Sequence, residues 1–525
     1  MKKFLRLYWS KLLLLLLLFA AATRAGNLFA ALDYDEIWTM SYFSTKNIGA
    51  IFTELSLPNN QVLNSLFVKF ALFLGLPLWG IRLHSLIAGV LAVMLMVPIG
   101  IRLGRSRGAG FWSALFLLCS APAAVYSQLA RGYELQLFLL LLYTWGLLYQ
   151  NEKKYTLPAL LAIAAGGAGS ILTLPTSAVY LGVITAGFFL LRPGRPSKAL
   201  LLLLLAGVIF AACWYGFNFN QFRAGQQWGS AITSHKAFFN FAFKTLDPII
   251  PLLWCPFLIA GIVFLPRRTG AVVLGGILIV LLSALVTRGG PPRVYMPIAA
   301  AAAFLCGAGA DALTRRMKKF NYLPAAAALL CAAGGLYFNT GFWTPPDWYA
   351  LYAKGKAQAQ GTLVIYSGTN GFPVMWNNQP DSTEENGSRL SQSTLDRLLC
   401  FTSDGILNGV DTSYSETHLP LKFKGLPHEG GFLYALESIS EPADGDSVLL
   451  ITCNGEKSLD TLLFNEISQS GRFLRLNIFF EVQNEEGFVN IIRGGVIDKA
   501  AAFDWKKLPE KMKLFRIKEM ERKIP

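Results

Sequence analysis

About eleven apolar stretches separated by short basic loops fill the first two thirds of the chain, and they leave few folds open to it. A bilayer core is about 30 Å thick, so a crossing helix needs about 20 mostly apolar residues. The stretches lie near residues 12–32, 77–101, 109–126, 134–149, 156–172, 175–191, 199–217, 248–265, 270–287, 295–312 and 322–338. The run from Val62 to Leu76 is also apolar and reads as an interfacial helix or as the first part of a bent span. Composition agrees: 53% of residues are apolar and 15% charged, where a soluble domain has about 25% charged. With a mean hydropathy of +0.43, the chain is neither disordered nor an ordinary cytosolic globule.

The formal net charge of +15 hides two opposite halves. Residues 1–338 hold 28 Lys and Arg against 8 Asp and Glu, whereas residues 339–525 hold 19 against 24. A nucleic-acid binder would show basic stripes on a polar surface; here the basic residues stand between apolar runs, as in a membrane protein that orients itself by charge. With a cytoplasmic N-terminus, the inner segments collect Lys2, Lys3, Arg6, Lys11, Arg102, Arg105, Arg107, Lys153, Lys154, Arg192, Arg195, Lys198, Arg267, Arg268, Arg315, Arg316, Lys318 and Lys319. That is 18 of the 28, with at least two in every inner loop. The alternation implies a multi-pass protein of the inner (plasma) membrane with residues 339–525 outside. The Lys-rich start and KLLLLLLLF also fit a secretory signal cut after Ala25. Arg24 opposes that cut and the alternation needs the segment, so a retained span is expected.

Beyond Asn339 the texture changes, and Thr344-Pro345-Pro346 marks a boundary. TLVIYSG (362–368) and SVLLITC (447–453) read as short buried strands, residues 391–401 and 457–469 as amphipathic helices, and FLRLNIFFEV with FVNIIRGGVI as a late strand pair. The expected fold is therefore a polytopic α-helical membrane domain (1–338) followed by a small extracytoplasmic α/β domain (339–525). The tail from Trp505 to Lys523 is a solvated amphipathic end or a contact to anionic headgroups. Seven cysteines are too few for a disulfide scaffold. Cys119, Cys213, Cys255, Cys306 and Cys331 sit in apolar runs and read as small packed hydrophobes; Cys400 and Cys453 lie in the polar region, where they pair or stay apart.

The eight acids of the first part are Asp33, Asp35, Glu36, Glu54, Glu134, Glu152, Asp247 and Asp311. Three fall in Asp33-Tyr34-Asp35-Glu36, directly after the first span. One acid there would cap a helix; three exceed what a cap requires, and acids near hydrocarbon tend to be kept for function. A carboxylate so placed serves as a general base or holds a divalent metal. Its cationic partner would come from another outer loop: Arg131 in SQLARGYE, Arg223, Lys236 or Lys244 in the loop 218–247, or Arg288 and Arg293 flanking Gly289-Gly290-Pro291-Pro292. Arginine grips phosphate in bidentate fashion and stabilises charge as a bond to it breaks. Any one of these arginines read alone serves equally as an interfacial anchor. Acids at one point and arginines at others, above a greasy groove, suit a reaction on a lipid-linked phosphate.

Four segments in order resemble the membrane glycosyltransferases that use polyprenyl-phosphate sugars, the GT-C superfamily of the protein O-mannosyltransferases, the aminoarabinose transferases and their bacterial relatives. They are LDYDEIWT after the first span, LPNNQVLNSLF about 20 residues on, IRLHSLIAGVLAV, and YSQLARGYELQLFLLLL. They cover roughly residues 12–150. The resemblance implies that Asp35 is the catalytic base with Glu36 its companion, and that Arg131 and Tyr133 lie near the donor phosphate. Asn60 belongs to the second segment, and Arg288 or Arg293 would assist at the phosphate. Asn59-Asn60-Gln61 stands where many relatives carry a His, which leaves a divalent metal open; Asp33 is the alternative base if the register differs by two. The implied reaction moves a sugar with inversion from a polyprenyl-phosphate donor to a lipid, glycan or protein acceptor, within membrane lipid and without nucleic acid. A transporter or flippase shares the topology but should show broken helices in matching halves or charges deep in spans. A polysaccharide polymerase or ligase would centre on arginines in large outer loops. A membrane scaffold leaves the acid cluster idle.

Overall fold

The computed structural model describes residues 8–30, 32–33, 35–36, 39–55, 60–149, 156–192, 196–225, 232, 234–287, 289–317, 320 and 322–343, and the backbone of seven strands between 363 and 498. Every apolar stretch read from the sequence is helical. In chain order these are α1 (Trp9–Ala25), α2 (Ile48–Thr53), α3 (Val62–Phe73), α4 (Leu83–Gly104), α5 (Arg107–Leu118), α6 (Ala121–Tyr126), α7 (Gly132–Tyr149) and α8 (Leu157–Thr173). They continue as α9 (Ser177–Leu191), α10 (Lys198–Phe217), α11 (Phe219–Gly225), α12 (His235–Ile249), α13 (Cys255–Phe264), α14 (Arg267–Thr287), α15 (Ile298–Arg316) and α16 (Tyr322–Trp343). Five helical segments, Leu78–Gly104, Lys198–Phe217, Arg267–Val286, Ile298–Arg316 and Tyr322–Trp343, are long and apolar enough to cross a membrane, and the bent pair His235–Ile249 and Leu252–Phe264 makes a sixth if it counts as one span. The chain is an integral membrane protein on these helices.

Local chemistry explains the boundaries. The stretch 109–126, read as one span, breaks into α5 and α6, because Pro122 enters the first turn of α6 and cannot donate to the helix before it. Arg105 closes α4 in the left-handed region at φ 54°, and Ser106 starts α5 by accepting from the Ala109 amide at 3.0 Å. The core gathers around α15, whose small face lets neighbours approach. A Cβ on Gly309 would meet the Phe257 carbonyl of α13 at 2.0 Å, and one on Gly307 would meet the Ser113 backbone of α5 at 2.2 Å. Close backbone approach over small residues is how membrane helices gain packing contacts that lipid cannot supply. At the other extreme, α10 buries only Leu200 and presents its apolar sides to lipid. Cys119 and Cys306 are buried as expected, Cys255 and Cys331 are half-buried, and Cys213 on α10 is exposed.

The chain divides into two compact units, residues 1–29 with 38–344 and residues 30–37 with 345–525. The first holds all sixteen helices, and α16 runs on to Trp343, past the boundary read at residue 338. In the second, β1 (Leu363–Tyr366), β5 (Ser447–Ile451), β6 (Arg475–Gln483) and β7 (Val489–Asp498) form one sheet in that order. The strands read at 362–368 and 447–453 pair in parallel, and the late pair is antiparallel, with a register shift between Ile478 and Phe479. A second, antiparallel sheet of β2 (Thr412–Ser413), β3 (Leu421–His428) and β4 (Gly431–Ser438) was not read from the sequence. The helices read at 391–401 and 457–469, the basic tail, Cys400 and Cys453 lie outside the described residues.

Candidate functional site

Three of the four sequence motifs meet on the backbone of residues 130–132, the turn that leads into α7. Gln61 accepts from the Gly132 amide through Oε1. Asn64 donates to the Ala130 carbonyl at 3.0 Å and is itself hydrogen-bonded to His84 Nε2 at 2.7 Å. Ser85 donates to the Arg131 carbonyl at 3.2 Å. Gln61 and Asn64 come from LPNNQVLNSLF, and His84 and Ser85 from IRLHSLIAGVLAV. Within the turn the Arg131 amide donates to the Leu129 carbonyl at 2.8 Å. These are buried polar groups in an apolar setting, and each needs a partner from the protein.

The turn so held presents Arg131 and Tyr133, both buried. The Arg131 guanidinium stands 5.6 Å from the centre of the Tyr133 ring, and that of Arg293 stands 6.0 Å from the same ring. Arg293 Nε also donates to the Tyr133 hydroxyl at 3.1 Å. Two arginines picked from separate loops therefore share one tyrosine. Each cation–ring contact contributes about 0.5–1 kcal/mol. Tyr126 meets the Tyr133 ring edge-on at 4.9 Å and fixes its plane.

Behind this cluster runs an apolar cavity of about 190 Å³ between α4, α7, α9, α14 and α15, with Leu137, Leu140, Thr144, Tyr180, Val280 and Phe304 among its walls. The hydroxyl of the lining Tyr180 donates to the Val294 carbonyl at 3.2 Å. Val294 is the neighbour of Arg293, so a wall of the greasy cavity is bonded to the segment that carries a guanidinium.

The exit of α1 is tied to the same turn. Gln128 donates to the Thr23 carbonyl at 2.9 Å and accepts from the Asn27 amide at 2.8 Å. Arg82 donates to the carbonyls of Asn27 and Leu28 at 3.1 and 2.9 Å. Arg24 donates to Leu118 and Leu117 at 2.6 and 3.1 Å, at the carbonyl end of α5 where positive charge is favoured. Sequence reasoning missed Arg24, Arg82, Gln128 and Asn64 as positioning groups. The signal was there: a long polar side chain inside an apolar run needs a partner.

The acid segment belongs to the other unit. Within it, Asp33 and Asp35 are half-buried and Glu36 is fully buried, with Glu36 Oε2 accepting from the Asp33 amide at 3.0 Å. Asn60 donates to the Ile51 and Glu54 carbonyls at 2.9 and 2.7 Å, capping the carbonyl end of α2, and accepts from Ser65 at 3.1 Å. Arg288 lies outside the described residues. Among the described residues no group of three or more His, Cys, Asp or Glu is placed to hold a metal ion.

No family model and no curated protein matches the chain. Several solved structures are similar to it at low identity. ArnT from Cupriavidus metallidurans in the apo state is 14% identical with a TM-score of 0.45, over 70% of this chain and 84% of that one. The same ArnT bound to undecaprenyl phosphate gives 16%, a TM-score of 0.42, and 67% and 69%. The archaeal oligosaccharyltransferase AglB from Archaeoglobus fulgidus, in complex with an inhibitory peptide and a dolichol-phosphate, gives 12%, a TM-score of 0.45, and 68% and 59%.

Proposed function

We propose that the chain is a membrane glycosyltransferase that moves a sugar from a polyprenyl-phosphate donor to an acceptor on the non-cytosolic face. The observation that carries this reading is the apolar cavity whose lining Tyr180 is bonded to the carbonyl next to Arg293, which shares Tyr133 with Arg131. A lipid phosphate needs both parts: a dry channel for the isoprenoid and guanidinium charge where the tail ends. The half-buried Arg293 is the one an incoming phosphate meets first, with the buried Arg131 behind it. Arg288, in the same loop, is the further candidate for that phosphate. Asn60 acts through the loop it holds.

In the proposed step the acceptor hydroxyl or amine loses its proton to Asp35 and attacks the anomeric carbon. The bond from that carbon to the phosphate oxygen breaks with its electron pair, and the lipid phosphate leaves as an anion stabilised by Arg131 and Arg293. Configuration inverts because there is one displacement. Glu36 orders the acid segment through the Asp33 amide. The test is transfer from radiolabelled polyprenyl-phosphate sugars in membranes. Asp35→Asn is expected to lower turnover by about 10²–10⁴-fold, the usual contribution of a positioned base. Full activity in that variant removes Asp35 from the role and turns the test to Asp33. Chelation with EDTA separates the two models of the leaving group: unchanged turnover supports arginine alone, and loss restored by magnesium brings in a metal.

A further inference from the structure

Helix α12 does not run with its neighbours. It makes an angle of 76° with the segment Leu252–Phe264 that follows it. That segment falls in one of the eleven apolar stretches, so with Leu252–Phe264 along the membrane normal α12 lies close to the membrane plane. Its sequence HKAFFNFAFKTLDPI divides into two flanks. One flank packs on the protein: Phe241 meets Tyr295 edge-on at 5.4 Å, Thr245 and Ile249 are buried, and the Pro248 carbonyl accepts from Trp343 Nε1 at 3.1 Å. The other flank carries Lys236, Phe239, Asn240, Phe243 and Lys244, with Phe239 68% and Phe243 71% exposed.

Residues four apart stand on one side of a helix, so the two phenylalanines form a pair with a lysine at each end. A flank facing water has no use for two open rings. A flank facing hydrocarbon would not carry two ammonium groups and an amide. The mixture fits the headgroup layer, where rings sink below the phosphates and lysines reach back to them. Against Lys236 and Lys244 the helix sets one acid, Asp247, so its sign favours anionic lipid.

We propose that the exposed flank of α12 binds the anionic phospholipid headgroups of the leaflet in which it lies. The opposite flank touches Tyr295, two residues from Arg293, so the depth of α12 in the leaflet sets the depth of the Arg293 segment. This inference stands on the membrane helices and not on the proposed transfer reaction.

The experiment uses the full chain with its native cysteines replaced by alanine and Asn240→Cys labelled with an environment-sensitive nitrobenzoxadiazole dye. Both phenylalanines are kept. The protein is placed in vesicles of phosphatidylcholine, alone or with added phosphatidylglycerol. Headgroup-level spin-labelled lipid should quench the dye and aqueous iodide should not, with phosphatidylglycerol deepening the protection. Lys236→Gln and Lys244→Gln should each raise the phosphatidylglycerol content needed for half-maximal protection, roughly fivefold per lysine. Iodide quenching in both lipids places the flank in water and overturns the proposal. Protection from both quenchers means that protein covers it, which overturns the proposal as well, and so does indifference to phosphatidylglycerol. A second label at the exposed His235→Cys, with both phenylalanines again kept, guards against a fold defect from the first.

Discussion

Buried polar side chains in a bilayer domain must find their partners inside the protein, since hydrocarbon offers none. Arg24 and Glu134 show how far that requirement reaches. A Cβ on Gly89 would sit 3.1 Å from Arg24 Cγ and 3.2 Å from Glu134 Oε1, so the missing side chain makes room for both charges. Arg24 answers the carbonyl end of α5, while Glu134 stands in the first turn of α7, where negative charge is favoured. Among the described residues neither Glu134 oxygen has a hydrogen-bond partner, which leaves the Arg24 charge and the helix end as its compensation. Arg24→Met removes the donor to the Leu117 and Leu118 carbonyls and should cost about 1–3 kcal/mol, the usual cost of leaving buried acceptors unsatisfied. Adding Glu134→Leu should recover part of it, with a coupling of about 0.5–3 kcal/mol, read as thermal unfolding in detergent. Simple additivity would show that the two charges do not sense each other. Tyr133→Phe keeps the ring and removes the acceptor that orients Arg293; it should raise KM for the lipid donor severalfold, about 0.5–1.5 kcal/mol, and leave the melting temperature nearly unchanged. The types of these residues were legible in the sequence, because charges are rare there. Their pairing was not: Arg293 and Tyr133 are 160 residues apart, and no local spacing joins them.

At the level of helices the apolar stretches located the apolar elements, because a bilayer domain must close its backbone hydrogen bonds within each segment, but not α2, nor α11 and α12 in the segment 218–247 read as an outer loop. What hydropathy missed was the break at Ser120–Pro122 and the length of α16, which depend on turn chemistry and not on apolarity. Packing was legible only as small residues in α15, without a partner. The structure supplies the partners, and the contrast between glycines makes a test. Gly309→Leu must push α13 away, since its Cβ would meet the Phe257 carbonyl at 2.0 Å; a loss of about 1–3 kcal/mol or more is expected, with aggregation on size exclusion. Gly207→Leu on α10 is the control, since nothing lies within 4 Å of its Cβ position, and it should leave the elution profile unchanged. Equal damage from both would mean that the close crossing of α13 and α15 is not what holds the bundle.

For the whole molecule the informative pattern was the alternation of basic loops. It fixes direction by the cost of moving Lys and Arg across hydrocarbon, a cost that no single helix reveals. That pattern predicts Lys153 in the cytoplasm and everything after α16 on the far side. An odd number of crossings between Lys153 and residue 345 is then expected, with residues 33–36, after the first crossing, on the far side. The check is cysteine labelling in a cysteine-free background with a maleimide that cannot cross the membrane. Ser458→Cys should react in intact cells stripped of their outer layer. Lys153→Cys should react only after the membrane is opened. Labelling of both in intact cells would make the number of crossings between them even. It would then detach the acid segment from the side on which an acceptor has been proposed. The opposite result is the one expected if α1 exits on the far side, where Gln128 holds its exit to the turn bearing Arg131.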